Sequence, residues 1–97
     1  MVQTIRTIAV SGNHKMVAFE KPLALARIFF SIQITSNEGD FCKTKISFDD
    51  PLFSSFYMLG GVAKKFEAKG EDIFQGSIWI LNMTTADMFY ALTEILH

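Results

Sequence analysis

The stretch ADMFYALTEIL, residues 86–96, decides between two fold classes, because it reads as the one helix in a chain otherwise written in strand patterns. No Gly or Pro interrupts it. Thr84 or Thr85 can cap its start, and Asp87 lies in the first turn, where a negative charge suits the helix dipole. Met88, Phe89, Leu92, Ile95 and Leu96 recur at helical spacing and form one broad apolar stripe. The spacing predicts an α-helix over 86–96, lying on a sheet.

The segment before it supplies that sheet. In IFQGSIWILNM, 73–83, Ile73, Trp79, Leu81 and Met83 oppose Phe74, Ile78 and Ile80, so both faces are apolar. A strand of this kind is central and covered. Further back, RIFFSIQIT at 27–35 alternates cleanly: Ile28, Phe30, Ile32 and Ile34 share one side, Arg27, Phe29, Ser31, Gln33 and Thr35 the other. FCKTKISF at 41–48 alternates too, with Cys42, Thr44, Ile46 and Phe48 opposed to Phe41, Lys43, Lys45 and Ser47. The turn formers SNEGD at 36–40 join these two runs, which predicts an antiparallel hairpin with one wet face.

Residues 3–10 and 15–20 are also strand-like, and the turn SGNH at 11–14 predicts a hairpin between them. Pro22 marks an edge or a crossing between sheets, and Asp49, Asp50 and Pro51 end a strand. The strand pattern from Phe56 to Ala68 is broken at Gly60-Gly61, where a bulge, a bend between sheets or a close backbone approach would fit. The sequence therefore predicts a single α+β domain over 1–97: mostly antiparallel β-sheet, as a sandwich or a strongly bent sheet, with one C-terminal α-helix packed on it.

Composition narrows the function. A chain of 97 residues is one small domain, and folding at this size removes only about 60–65% of the unfolded surface from water. With 49% hydrophobic residues and ten Phe, either the core is dense with rings or apolar surface meets a partner. Nine basic against ten acidic residues leave no field that favours nucleic acid or an anionic membrane. The single Cys42 cannot form an internal disulfide, which fits an intracellular origin. No apolar run reaches the roughly 18 residues of a membrane span, and the first residues do not read as a signal peptide. The expectation is a soluble protein, cytoplasmic or virion-associated.

Reactive groups are sparse. His14 and His97 stand at no metal-ligand spacing, and Cys42 on the apolar side of a strand reads as a small core residue. The pairs Asp49-Asp50 and Glu71-Asp72 read as turn chemistry, with a cation site or an acid and base pair as the alternative. Gly60-Gly61 lacks the flanking residues of a phosphate loop. No enzyme activity, metal or cofactor is expected.

Binding is the remaining class. Lys43 and Lys45 beside Phe41 could follow a phosphate chain and stack a base, but an ordinary exposed strand explains them as well, and nucleic acid is not the expected partner. Lys64 and Lys65 would have to join the same surface to change this. Phe29, on the second side of the best strand, belongs to a second core together with Phe53, Phe56, Tyr57 and Trp79, or else to an oligomer interface or a sugar platform. The candidate binding or interface residues are Phe29, Arg27, Phe41, Lys43, Lys45 and Tyr57.

VAFEKPLALARIFFSIQI, residues 17–34, resembles a segment of small β-sandwich recognition modules, the H-type lectin fold and phage tail-fibre tips. In these, a short apolar strand and a loop precede a long strand of the form apolar-apolar-x-Ser-apolar-x. The resemblance covers about a fifth of the chain. It implies a homotrimer that binds a surface glycan or a host receptor, and it carries over no ligand residue. The expected function is a homo-oligomeric recognition or assembly module for a glycan or protein receptor. The alternative is a small intracellular inhibitor or ligand-sequestering protein, for example of a nucleotide or a host protein.

Overall fold

Every element described by the computed structural model is a strand, and the described residues are 1–35, 43–48, 57–59, 61–67 and 75–97. In chain order they are β1 (Val2–Val10), β2 (Lys15–Phe19), β3 (Arg27–Ile34), β4 (Thr44–Ser47), β5 (Tyr57–Met58), β6 (Ala63–Glu67), β7 (Ile78–Asn82) and β8 (Met88–Leu96). Sheet I has the order β1-β8-β3-β6 and sheet II the order β2-β7-β4-β5. All pairings are antiparallel. The pairs β1 with β8, β2 with β7, β3 with β6 and β4 with β5 trace one long hairpin, with β4 and β5 at its tip. Rolling that hairpin so that β3 lies beside β8, and β4 beside β7, gives a two-sheet jelly roll.

The expected C-terminal helix is absent: residues 88–96 form β8, an inner strand of sheet I between β1 and β3. Among the described residues the fold is therefore a β-sandwich and not α+β. Met88, Tyr90 and Leu92 point into the core while Phe89 points out, a period of two that apolar residues on both faces had disguised as a helical stripe. Backbone partners on both sides outweigh a weak helical preference, because pairing and packing decide strand formation. Thr84 caps no helix. Its hydroxyl donates to Asn82 Oδ1 at 2.6 Å and its backbone N–H does so at 2.9 Å. Asn82 Nδ2 donates in turn to the Val10 and Ala86 carbonyls, so one buried amide shapes the turn from β7 into β8.

Neither expected hairpin forms. β1 and β2 lie in different sheets, as do β3 and β4, because each connection crosses the sandwich. The turn between β1 and β2 holds Asn13 at φ 62°, in the left-handed region that Asn tolerates. Next to it, a Cβ on Gly12 would overlap the Thr85 carbonyl, so the turn presses against the one that precedes β8. Gly60 lies outside the described residues; Gly61 follows β5 of sheet II and precedes β6 of sheet I, so the chain changes sheets between these two strands.

The core lies between the sheets. Phe30 meets the rings of Phe19 and Phe48 edge-on, and Phe66 stacks on it with centroids 5.9 Å apart. Ile32, Ile34, Ile46, Ile78, Ile80 and Leu92 fill the space around these rings. A polar bridge lies inside it: Thr44 of β4 and Tyr90 of β8 share a 2.9 Å hydrogen bond between their hydroxyls. Burial pushes the Tyr90 phenol above its usual value, and the bond to Thr44 opposes this in part.

A pH dependence follows. The folded chain holds the phenolic proton more tightly than the unfolded chain does, so the contribution is fully present below the ordinary tyrosine value of about 10 and is lost as pH rises past it. Tyr90→Phe costs about 1–3 kcal/mol at neutral pH, because it leaves the Thr44 hydroxyl without its bond. The stability gap between wild type and variant then shrinks above about pH 10, as measured by urea unfolding at several pH values. A gap that stays constant to pH 11 would contradict the assignment.

Candidate functional site

The outer face of sheet I is set by strand register. Where β1, β8 and β3 lie side by side, the outward residues fall into rows: Gln3, Ile95 and Phe29; Ile5, Thr93 and Ser31; Thr7, Ala91 and Gln33. Ala9 and Phe89 begin a fourth row, and Thr35 continues it by donating its backbone N–H to the Phe89 carbonyl at 2.8 Å. None of these residues is charged. β6 closes the first two rows with Glu67 and Lys65, so the charge-free part of the face is confined to these rows of β1, β8 and β3, where polar and apolar side chains mix. Ile5 is 69% exposed and Phe89 47%, while Phe29 and Ile95 are half-buried.

The charges of these three strands lie on the inner side. Arg6 reaches over the Phe19 ring, 6.0 Å from its centroid, and donates to the Ala18 carbonyl at 2.7 Å. Arg27 is fully buried. The register between β3 and β8 shifts between Arg27 and Phe29, so Ile28 is the extra residue of a bulge. Alternation alone would put Ile28 in the core and Arg27 outside, yet Ile28 is 37% exposed and Arg27 is 0% exposed.

The Arg27 guanidinium binds Glu94 through Nε at 2.9 Å and through one terminal nitrogen at 2.8 Å. It also donates to the Gly76 carbonyl at 2.6 Å and the Glu20 carbonyl at 3.1 Å. The Gln75 side-chain amide pairs with both main-chain groups of Arg27, at 2.7 and 2.9 Å, and so replaces a strand neighbour where the bulge interrupts the ladder. Burial pulls the guanidinium below its ordinary value, and the hydrogen bond and charge of Glu94 counteract this. Arginine stays charged across the physiological range, so the pair is an ionic clamp inside the sandwich.

The remaining candidates scatter. Phe29 stays on the sheet I face, between Ile95 and Glu67. Lys43 is exposed just before β4, and its carbonyl accepts the Met83 N–H at 2.7 Å. Lys45 lies on the outer side of sheet II, between Leu81 and Met58. Tyr57 pairs with Ile46 at the tip of the rolled hairpin. Phe41, Cys42, the loop 36–40, Asp49, Asp50, Phe53, Phe56, Glu71 and Asp72 lie outside the described residues.

Phe29 and the two lysines therefore belong to different sheets and make no common site. Lys64 and Lys65 lie on β6 of sheet I, away from Lys43 and Lys45. His14 is exposed and its Nδ1 bonds the Gly12 carbonyl at 2.8 Å, whereas His97 pairs its backbone with Ala26. Among the described residues no three His, Cys, Asp or Glu come together as a metal group, and no helix is long and apolar enough to cross a membrane.

Sequence reasoning missed Ile5, Phe89 and Ile95 as face residues. The signal was present for Ile5 in the alternation of residues 3–9, while the helical reading hid the other two. No protein-family model, no curated protein and no solved structure matches the chain.

Proposed function

We propose that the protein is an assembly module that acts by binding copies of itself through the outer face of sheet I. The observation that carries this reading is the run of uncharged rows across β1, β8 and β3, with Ile5 and Phe89 standing out from it. Three strands about 4.8 Å apart and about 30 Å long give a patch of roughly 400 Å² in projection. Interfaces are depleted of charge at their centres and use aromatic side chains as anchors, which is the composition found here. Burying Phe89 and Ile5 against another copy removes their apolar area from water at about 25 cal/mol per Å².

The test is the mass of the particle. Wild type is expected to run as a concentration-dependent oligomer in size exclusion with light scattering. Phe89→Lys and Phe29→Asp, both on the outer side of the sheet, should leave the strand spectrum intact and weaken association at least tenfold. A wild type that stays monomeric at high micromolar concentration would remove the reading.

A further inference from the structure

The four sheet edges differ in how they are guarded, and one is open. Edge strands invite pairing with another chain unless charge, shortness, a bulge or a cover prevents it. β6, at one edge of sheet I, has Lys64, Lys65 and Glu67 among five residues. In sheet II, β5 has two residues and β2 has a bulge between Val17 and Phe19. β1 has none of these devices. Its nine residues run without a register shift and contain no Pro, and their one charge, Arg6, is exposed but tied by its guanidinium to the Ala18 carbonyl on the inner side of the sheet.

The backbone of β1 is aimed outward in alternation. Thr35 N–H bonds the Phe89 carbonyl and Ile34 N–H bonds the Val62 carbonyl, which places the main-chain groups of Phe89, Ala91, Thr93 and Ile95 toward β3. Tyr90, Leu92, Glu94 and Leu96 therefore bond β1, through Ile8, Arg6, Thr4 and Val2. The N–H and C=O groups of Gln3, Ile5, Thr7 and Ala9 point away from β8, and among the described residues nothing pairs with them.

We infer that β1 pairs antiparallel with β1 of a second copy, across a two-fold axis at Ile5, joining two copies of sheet I into one eight-stranded sheet. This rests on the self-assembly reading and adds to it the contact that builds the particle. The axis has few places to go. Centred on Arg6, it would set two guanidinium groups opposite each other, which is unfavourable. Centred on Ile5, it sets Ile5 against Ile5, Gln3 against Thr7, and Arg6 against Thr4. The ladder then has about six main-chain hydrogen bonds, within the 10 ± 5 of ordinary interfaces. It also joins the two uncharged areas into one surface of roughly 800 Å² in projection.

The experiment compares the particle mass of wild type, Thr7→Pro and Phe89→Lys. The Thr7 N–H is one of the outward groups, and Pro is tolerated on an edge where its missing donor faces solvent, so the fold and the uncharged face both survive. Wild type should contain an even number of copies. Thr7→Pro should weaken dimer formation at least tenfold, and Phe89→Lys should stop at the dimer. A folded Thr7→Pro of unchanged mass, or a wild-type trimer, overturns the edge pairing and leaves the face reading standing if Phe89→Lys still shrinks the particle. A dimer in both wild type and Phe89→Lys does the reverse. Should Thr7→Pro fail to fold, amide exchange of concentrated wild type decides. Protection at Ile5 and Thr7 that fades on dilution supports pairing, and exchange at unpaired rates at all concentrations overturns it.

Discussion

Glu94→Ala is expected to cost about 3–5 kcal/mol, as much as losing a large core side chain, although Glu94 is a single carboxylate at one end of the sandwich. The reason is what it leaves behind. Arg27 is wholly buried and the Glu94 side chain is only 8% exposed, so removing the carboxylate takes the opposite charge away from a cation held out of water. The carbonyls of Gly76 and Glu20 still accept from the guanidinium, but they carry only partial charge. Exposed ion pairs contribute about 0–1 kcal/mol, so the size of the loss separates a buried clamp from a surface bridge. Urea unfolding reads the difference, and a loss below about 1 kcal/mol would mean that the clamp opens to solvent. The double variant Arg27→Met with Glu94→Leu should recover part of the loss but not all, because the two carbonyls then lose their donor.

Ile80→Asp should abolish folding. Ile80 is the middle residue of β7, fully buried, with Met16 and Ile46 as its cross-strand neighbours. Neither neighbour can pair with a carboxylate, and the cost of an unpartnered buried charge is of the order of the whole stability of a small domain, about 5–15 kcal/mol. Circular dichroism of the purified variant should lack the strand signal and show no thermal transition. A cooperative transition within a few degrees of wild type would place Ile80 outside the core. The contrast is Phe89→Lys, where a charge enters the outer side of the other sheet and the fold persists.

These expectations show what alternation can and cannot disclose. Phe30, Ile32 and Ile34 were legible as core because nothing interrupts the pleat between them. Arg27 was not, because a one-residue bulge at Ile28 reverses the sense of every position before it, and a bulge has no composition of its own in IFF. Residues 88–96 misled for a different reason. A strand with apolar residues on both faces satisfies a helical template, and only the presence of β1 and β3 on either side selects the extended form. The hairpins were misplaced because local turn chemistry is the same whether a chain folds back within one sheet or arches over to the other. The candidate face shared these fates: Phe29 was visible from its own strand, Phe89 and Ile95 only once β8 is a strand, and Lys43 and Lys45 belong to the other sheet.

The position of β8 also bears on how the chain is made. A polypeptide emerging from the ribosome presents β1 and β3 well before the strand that lies between them, because β3 ends at Ile34 and β8 begins only at Met88. Until then both carry unsatisfied edges and bare apolar side chains, and the closing step must bring together segments from opposite ends of the sequence. Such long-range closure is slow, in the millisecond to second range for all-β domains. For a nascent chain this is the interval in which chaperones, or neighbouring copies on the same message, can reach it.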